Sequence, residues 1–253
     1  MSYHNIFVKS KILKKSIWLF LFLPLIITLS APIVHDPDEL GRVQIVEGIL
    51  KEETFYKLFV MDDFEGNIPW KVHRSSAFLN HTEFIAKVPE SEAFEYETNI
   101  YKKLYPIEAN KSLMVRSYFE IPRREKVFIK PEAGISLPRG IPSRAFLWVY
   151  SNNYNMDLQI ILKQQLTEIP VKLGSLKFEG WKRLEATIVV PPQNRWKHER
   201  KATPFEIKGF VITCEAFQKK GAFFIYLDQM AILLDRSFAT YPGSEIIDNW
   251  DTR

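Results

Sequence analysis

The sequence predicts an all-β protein, a jelly-roll-like β-sandwich preceded by a short N-terminal arm or helix. Three observations carry this. From Ser112 to Leu234 the chain is a succession of short segments rich in Val, Ile, Phe and Tyr. Most of these segments are bounded by Gly, Pro or Asn, the residues that end strands and make turns. No long amphipathic helix is visible after residue 111. Many strands at short spacing with such turns are the pattern of a sandwich.

In chain order, residues 1–31 read as a signal peptide. Lys9, Lys11, Lys14 and Lys15 form a basic start, Ile17–Leu29 is apolar, and Ser30 and Ala31 are small. This is the order of a secretory signal, and the apolar run is short of the roughly 20 residues that a membrane span needs. A retained anchor is the alternative, because Ile33 and Val34 extend the apolar stretch and Pro32 is a poor neighbour for cleavage. Either way the remaining chain is exported, and no cysteine near the site offers a lipid attachment point. Residues 32–57 form the N-terminal arm, where Val43, Ile45, Val46, Ile49 and Leu50 recur at near-helical spacing, interrupted by Gly48.

The β-sandwich domain spans 58–238 and a C-terminal tail 239–253. A strand over Leu58–Gly66 opens the domain. Residues 67–111 are polar and loop-rich, with a strand near Thr82–Val88 and a short helix around Glu95–Leu104. Leu113–Ile121 reads as a strand that stops at Pro122. Residues 123–142 carry several charges and Pro131, Pro138 and Pro142, and read as a loop. Strands follow at Arg144–Tyr150, Asp157–Lys163, Ile169–Leu173, Arg183–Val190, Phe205–Glu215 and Gly221–Leu234.

The charge balance excludes a class of partner. The chain has 34 Lys and Arg against 30 Asp and Glu, and the four lysines of the leader account for the whole excess. A nucleic-acid binder keeps a positive excess on its folded part, so no nucleic-acid partner is expected, and no membrane contact after signal cleavage. About 220 residues suffice for a core without staples. Cys214 is the single cysteine, so no internal disulfide forms. In the stretch Phe210–Cys214 it shares a strand face with Phe210 and Ile212 and reads as a small core residue.

No catalytic motif emerges. The histidines His4, His35, His73, His81 and His198 form no metal-type pair, and the chain lacks a nucleophile elbow, a Gly-rich phosphate loop and a zinc-protease motif. The expectation is that the protein is not an enzyme and holds no cofactor beyond a structural Ca2+. That ion would be held by Asp62 or Asp63 with Asp228, if the first and last strands pair and bring these oxygen ligands together; solvated turn carboxylates are the plainer reading. For stacking on sugar rings the candidates are Trp70, Trp148, Trp181, Trp196 and Trp250. Trp148 lies in an apolar strand and reads as core, Trp181 as half-buried, and Trp196 as the exposed one. Around Trp196 the loop residues Arg195, Lys197, Arg200 and Lys201 form a basic cluster, either a solvated loop or a contact for an acidic protein surface. Asn80–Thr82 fits a glycosylation sequon.

Four stretches, in order, give the sequence a family resemblance. They are Phe119–Pro122 (FEIP), Leu173–Leu184 (LGSLKFEGWKRL), Thr203–Ile212 (TPFEIKGFVI) and Phe223–Asp235 (FFIYLDQMAILLD). Together they resemble the outer-layer, or sheath, proteins of spirochaete periplasmic flagella, the FlaA family. The chain departs from that pattern at Glu179, where the family has Asp, in a short 191–204 loop, and over 32–111, where no motif matches. The resemblance implies a structural subunit of the periplasm and the periplasmic flagellum. It would coat a flagellin core beside other sheath proteins and influence filament shape, stiffness and motility. It carries over no catalytic residues. Contacts are expected at the loops of the sandwich ends, above all Arg195–Lys201, and at the N-terminal arm. The alternative is a periplasmic carbohydrate-binding module, since the Gly-Trp-Lys and closing-strand patterns also occur in galactose-binding and carbohydrate-binding sandwiches.

Overall fold

Alternation of apolar and polar residues resolves into twelve strands, arranged as two antiparallel sheets, in a computed structural model that describes residues 38–52, 55–73, 80–191, 204–215 and 217–237. The strands are β1 (Tyr56–Asp62), β2 (Trp70–His73), β3 (His81–Ile85), β4 (Ser112–Phe119), β5 (Lys126–Pro131), β6 (Ile135–Ser136), β7 (Ile141–Asn152), β8 (Met156–Gln164), β9 (Thr167–Ser175), β10 (Glu179–Thr187), β11 (Glu206–Cys214) and β12 (Gly221–Asp235). Two helices accompany them, α1 (Glu39–Glu52) and α2 (Glu92–Leu104). The first sheet runs β10-β7-β12-β4-β3, and the second β2-β5-β11-β8-β9. From β7 onward the chain crosses repeatedly between the sheets, as a jelly roll requires.

β12 organises the first sheet. Its first half, Gly221–Leu227, pairs with β4, and its second half, Met230–Asp235, pairs with β1 on the same side. The first and last strands thus pair, which is the condition set for the Ca2+ site. Between the halves Gln229 takes φ 39°, and the register against β7 slips between Asp228 and Ala231. That slip is a β-bulge, which re-aims side chains. β11 plays the same part in the second sheet, with β5 and β6 sharing one side. Its bulge sits at Gly209, where φ is +123° and an added Cβ would lie 2.1 Å from the Ile129 carbonyl oxygen. Only glycine fits there.

Inward residues of both sheets form one core. On β8 these are Met156, Leu158, Ile160 and Leu162, while Asp157, Gln159 and Lys163 face out. Trp70 stacks on Phe210 at 5.5 Å and Phe119 on Phe223 at 5.1 Å. Each fully buried aliphatic or aromatic side chain contributes about 1.5–3 kcal/mol of transfer free energy. Cys214, half-buried, packs against this core.

Two expectations are corrected. Residues 123–142, read as a loop, contain β5 and β6. Lys126 and Lys130 are exposed while Val127 and Ile129 reach the core, so the charges mark an outer face rather than a loop. β2, also unread, is four residues long and places Trp70 inside. The arm is a helix for most of its length: Val43 and Val46 of α1 pack with Ile100 and Tyr101 of α2 and with Leu58, Phe146 and Leu233 of the sheet. α2 starts three residues before the expected Glu95. Ser91 caps it, its Oγ accepting from the Phe94 N–H at 3.0 Å, and acidic first-turn and basic last-turn residues suit the helix dipole. Both helices lie on the outer face of the first sheet.

The expected signal sequence, the tail 239–253 and the residues Arg195, Trp196, Lys197, Arg200 and Lys201 lie outside the described residues. Among the described residues no helix is long and apolar enough to cross a membrane.

Candidate interaction surface

A buried polar cluster fixes the helices to the first sheet. Arg183 on β10 places Nε 3.0 and 3.1 Å from the two carboxylate oxygens of Glu97 on α2. Its Nη1 reaches Glu185 at 2.9 Å. Trp148 on β7 donates its indole N–H to Glu97 at 2.7 Å, and the Tyr101 hydroxyl donates to the same carboxylate. From α1, Glu39 accepts the backbone N–H of Arg183 at 3.0 Å. Burial, followed by the Glu97 charge, holds the Tyr101 hydroxyl well above the usual tyrosine range. Glu97 thus joins α2 to β7 and β10, and Arg183 extends the cluster to α1. Buried hydrogen-bond networks of this kind specify an arrangement, although Arg183 Nη2 finds no partner among the described residues.

The three carboxylates expected at a metal site take separate roles. Asp62 lies opposite Met230 in the β1–β12 pairing and turns inward. It accepts the Trp70 indole N–H at 2.6 Å and the Phe64 N–H at 3.0 Å, and burial raises its pKa to about 6. Asp63 faces the other way and accepts from the backbone N–H of Glu108 at 3.3 Å. Asp228 is buried beside the β12 bulge and accepts from Ser112 Oγ at 2.8 Å; burial pushes its pKa well above the carboxylate range. No group of three or more His, Cys, Asp or Glu among the described residues is placed to hold a metal ion. The Ca2+ expectation therefore finds no ligand cluster there, because the Trp70 indole and the Phe64 amide orient Asp62 toward the core.

The tryptophans divide as well. Trp70, considered for sugar stacking, is only 4% exposed and belongs to the sandwich core. Trp148 is buried, beneath α2 rather than between the sheets, edge-on to Phe94 at 5.4 Å. Trp181 is half-buried and heads a row that crosses the first sheet in register: Trp181, Tyr150, Tyr226, Met114 and Glu83. Trp181 meets Tyr150 edge-on at 5.7 Å, and Tyr150 meets Tyr226 edge-on at 5.1 Å. Phe224 lies parallel to Tyr150 at 6.4 Å, and Lys87 Nζ sits 4.1 Å from the Tyr150 ring centre. Sequence reasoning missed this aromatic row. Its one signal was Phe224 and Tyr226 at alternate positions of the closing strand.

β10 and β9 are edge strands of the two sheets and lie on the same side of the sandwich. Between them runs an open groove of about 550 Å³, with Arg42 and Ile45 of α1 at one margin and Lys177 and Phe178 at the other.

Fold and surfaces define the class: a jelly-roll-type antiparallel β-sandwich backed on one face by helices, with its half-exposed aromatics and its groove on the surface. Residues 102–240 match the model of the family described as flagellar filament outer layer protein FlaA, and the chain belongs to that family. The matched span takes in β4 through β12. Membership gives the protein a flagellar location, in the outer layer of the filament. No curated protein sequence matches the chain. Among solved structures, similar chains are a family 11 carbohydrate-binding module from a Clostridium thermocellum cellulosomal cellulase (12% identity, covering 70% of this chain and 94% of that one, TM-score 0.41). A second is a family 61 carbohydrate-binding module in complex with β-1,4-galactotriose (11%, 66% and 88%, TM-score 0.35). A third is a xylan-binding domain from Paenibacillus barcinonensis (15%, 70% and 98%, TM-score 0.35). These likenesses concern the fold alone.

Proposed function

We propose that this chain is a non-enzymatic structural subunit of the filament sheath, coating a flagellin core in the periplasm and influencing filament shape, stiffness and motility. The observation that carries the reading is the family match over residues 102–240, which covers nine of the twelve strands. Consistent with a building block, the charged groups of the first sheet's outer face join elements to one another: Glu97 and Arg183 tie α2 to β10, and Glu39 ties α1 to the same strand. Purification of flagella from the source cells tests the proposal. The protein should remain with detergent-washed filaments, and a deletion strain should give filaments of altered curvature and cells with reduced swimming. Its absence from washed filaments would end this reading.

Carbohydrate binding is the second reading. The observation in its favour is the half-buried aromatic row of Trp181, Tyr150, Phe224 and Tyr226, since ring faces are what sugars stack on. A glycan-array signal abolished by Tyr150→Ala, in a protein absent from filaments, would promote it.

A further inference from the structure

Among the described residues no strand pairs with β10 on the side away from β7, so the groove contains a sheet edge, and the hydrogen-bond pattern shows which backbone groups it offers. The Ile188 N–H donates toward β7, to the Ser143 carbonyl, at 2.8 Å. The Arg183 N–H points the opposite way, to Glu39. In an antiparallel pair this parity alternates strictly. Glu185 and Thr187 therefore turn both N–H and C=O away from β7, into the groove margin. The other edges are shorter, interrupted or partly covered: β1, which pairs only with β12, has its Leu58 carbonyl taken by the Tyr105 hydroxyl at 3.2 Å. β9 carries Pro170 in mid-strand, and β2 and β3 are four and five residues long. Short strands and prolines are the usual means of blocking strand addition. β10 is nine residues long without proline. Exposed apolar side chains flank it: Ile45 is 60% and Val189 79% exposed.

The charge of this region selects the partner. The groove lining holds Arg42, Arg144, Lys177, Lys182 and Arg183 against Glu185. Arg144 and Arg183 pair with Glu185 and Glu97, while the exposed Lys177 at the groove margin forms no ion pair among the described residues. We propose that the β10 edge receives an extended acidic segment of a core-filament protein, which adds as a further strand of the first sheet. Backbone bonds to Glu185 and Thr187 would supply the affinity, Ile45 and Val189 would take apolar side chains, and the cations would select carboxylates. This inference rests on the outer-layer reading and names the surface that reading leaves open.

The test uses the exported full-length chain and core filaments stripped of their outer layer. Hydrogen exchange of the 185–189 amides should slow at least about tenfold on binding to the core. Thr187→Pro removes an outward donor without touching a bond to β7, and should weaken co-sedimentation with the core by roughly tenfold. Lys177→Glu leaves the backbone intact and should also weaken it, with the wild-type interaction fading toward roughly 0.5 M salt. Melting curves identify any variant that fails to fold, and the exchange experiment on wild type needs no variant. If wild type binds the core while the 185–189 amides exchange as in the free protein, this inference is overturned and the sheath reading stands. If wild type does not bind core filaments at all, the sheath reading itself falls. Protection of the same amides in concentrated free protein would assign the edge to a second copy of this chain and overturn the core-protein assignment.

Discussion

Arg183 and Glu97 form an ion pair across 86 residues of sequence, with Nε at 3.0 and 3.1 Å from the two carboxylate oxygens and both side chains withdrawn from solvent. Breaking such a pair from one side leaves a buried charge, which costs about 3–5 kcal/mol. Glu97→Ala would also strand the Trp148 indole N–H and the Tyr101 hydroxyl. A urea titration should therefore show a loss of that size. Replacing both partners, as in Glu97→Leu with Arg183→Met, should cost less than the single change. A double variant less stable than Glu97→Ala would show that the pair is not the stabilising feature.

Two glycines should respond oppositely to alanine. At Gly209 the new Cβ would meet the Ile129 carbonyl oxygen at 2.1 Å with φ at +123°, and backbone cannot yield as a side chain can. A loss on the order of 3 kcal/mol follows from strain of this kind. At Gly48, within α1, nothing lies within 4 Å of an added Cβ. Gly48→Ala should raise stability by about 0.5–1 kcal/mol. Thermal melts of the two variants decide this, and equal shifts would contradict it.

The parts of this fold that the sequence disclosed were those with long apolar runs. β12 was legible because residues 223–234 are nearly all apolar, and β8 because Leu158, Ile160 and Leu162 recur at alternate positions. β5 was hidden because its two lysines and Pro131 carry loop signals, while Val127 and Ile129 are too few to outweigh them. The pairing of β1 with β12 followed from a general habit of sandwiches. The consequence drawn for Asp62 did not follow, because its orientation depends on Trp70, a contact no spacing reveals. Tyr150 and Trp181 come together only through the β7–β10 register. The Arg183–Glu97 cluster joins α1, α2, β7 and β10, distant in sequence, so no local pattern announces it.

The Ser91 cap gives a local prediction. Its Oγ accepts the Phe94 N–H at 3.0 Å, one of the amides left without a partner at a helix start. Ser91→Ala should cost about 1 kcal/mol, and Ser91→Asp should keep most of the stability. α2 holds Glu97, so the effect should appear in the global transition rather than as local fraying. A circular-dichroism melt in which Ser91→Ala matches wild type would count against this cap.

Asp62 sets a pH dependence with a definite sign. Burial holds its carboxyl at about 6 against an ordinary 3.8, and the hydrogen bonds from Trp70 and Phe64 reduce that push without cancelling it. Between these values the folded protein binds more protons than the unfolded chain, so stability falls as pH rises through the window. The full cost is reached above about pH 6 and amounts to roughly 3 kcal/mol. Asp228 is pushed in the same direction by burial, so it contributes with the same sign. The protein should thus be more stable near about pH 5 than near about pH 7. Asp62→Asn offers one oxygen where two donors need acceptance, so it should be less stable overall. The informative quantity is the slope. Urea midpoints taken across the window should fall with pH in wild type and flatten by up to one proton in the variant. Parallel profiles for the two proteins would mean that Asp62 titrates as an ordinary carboxylate.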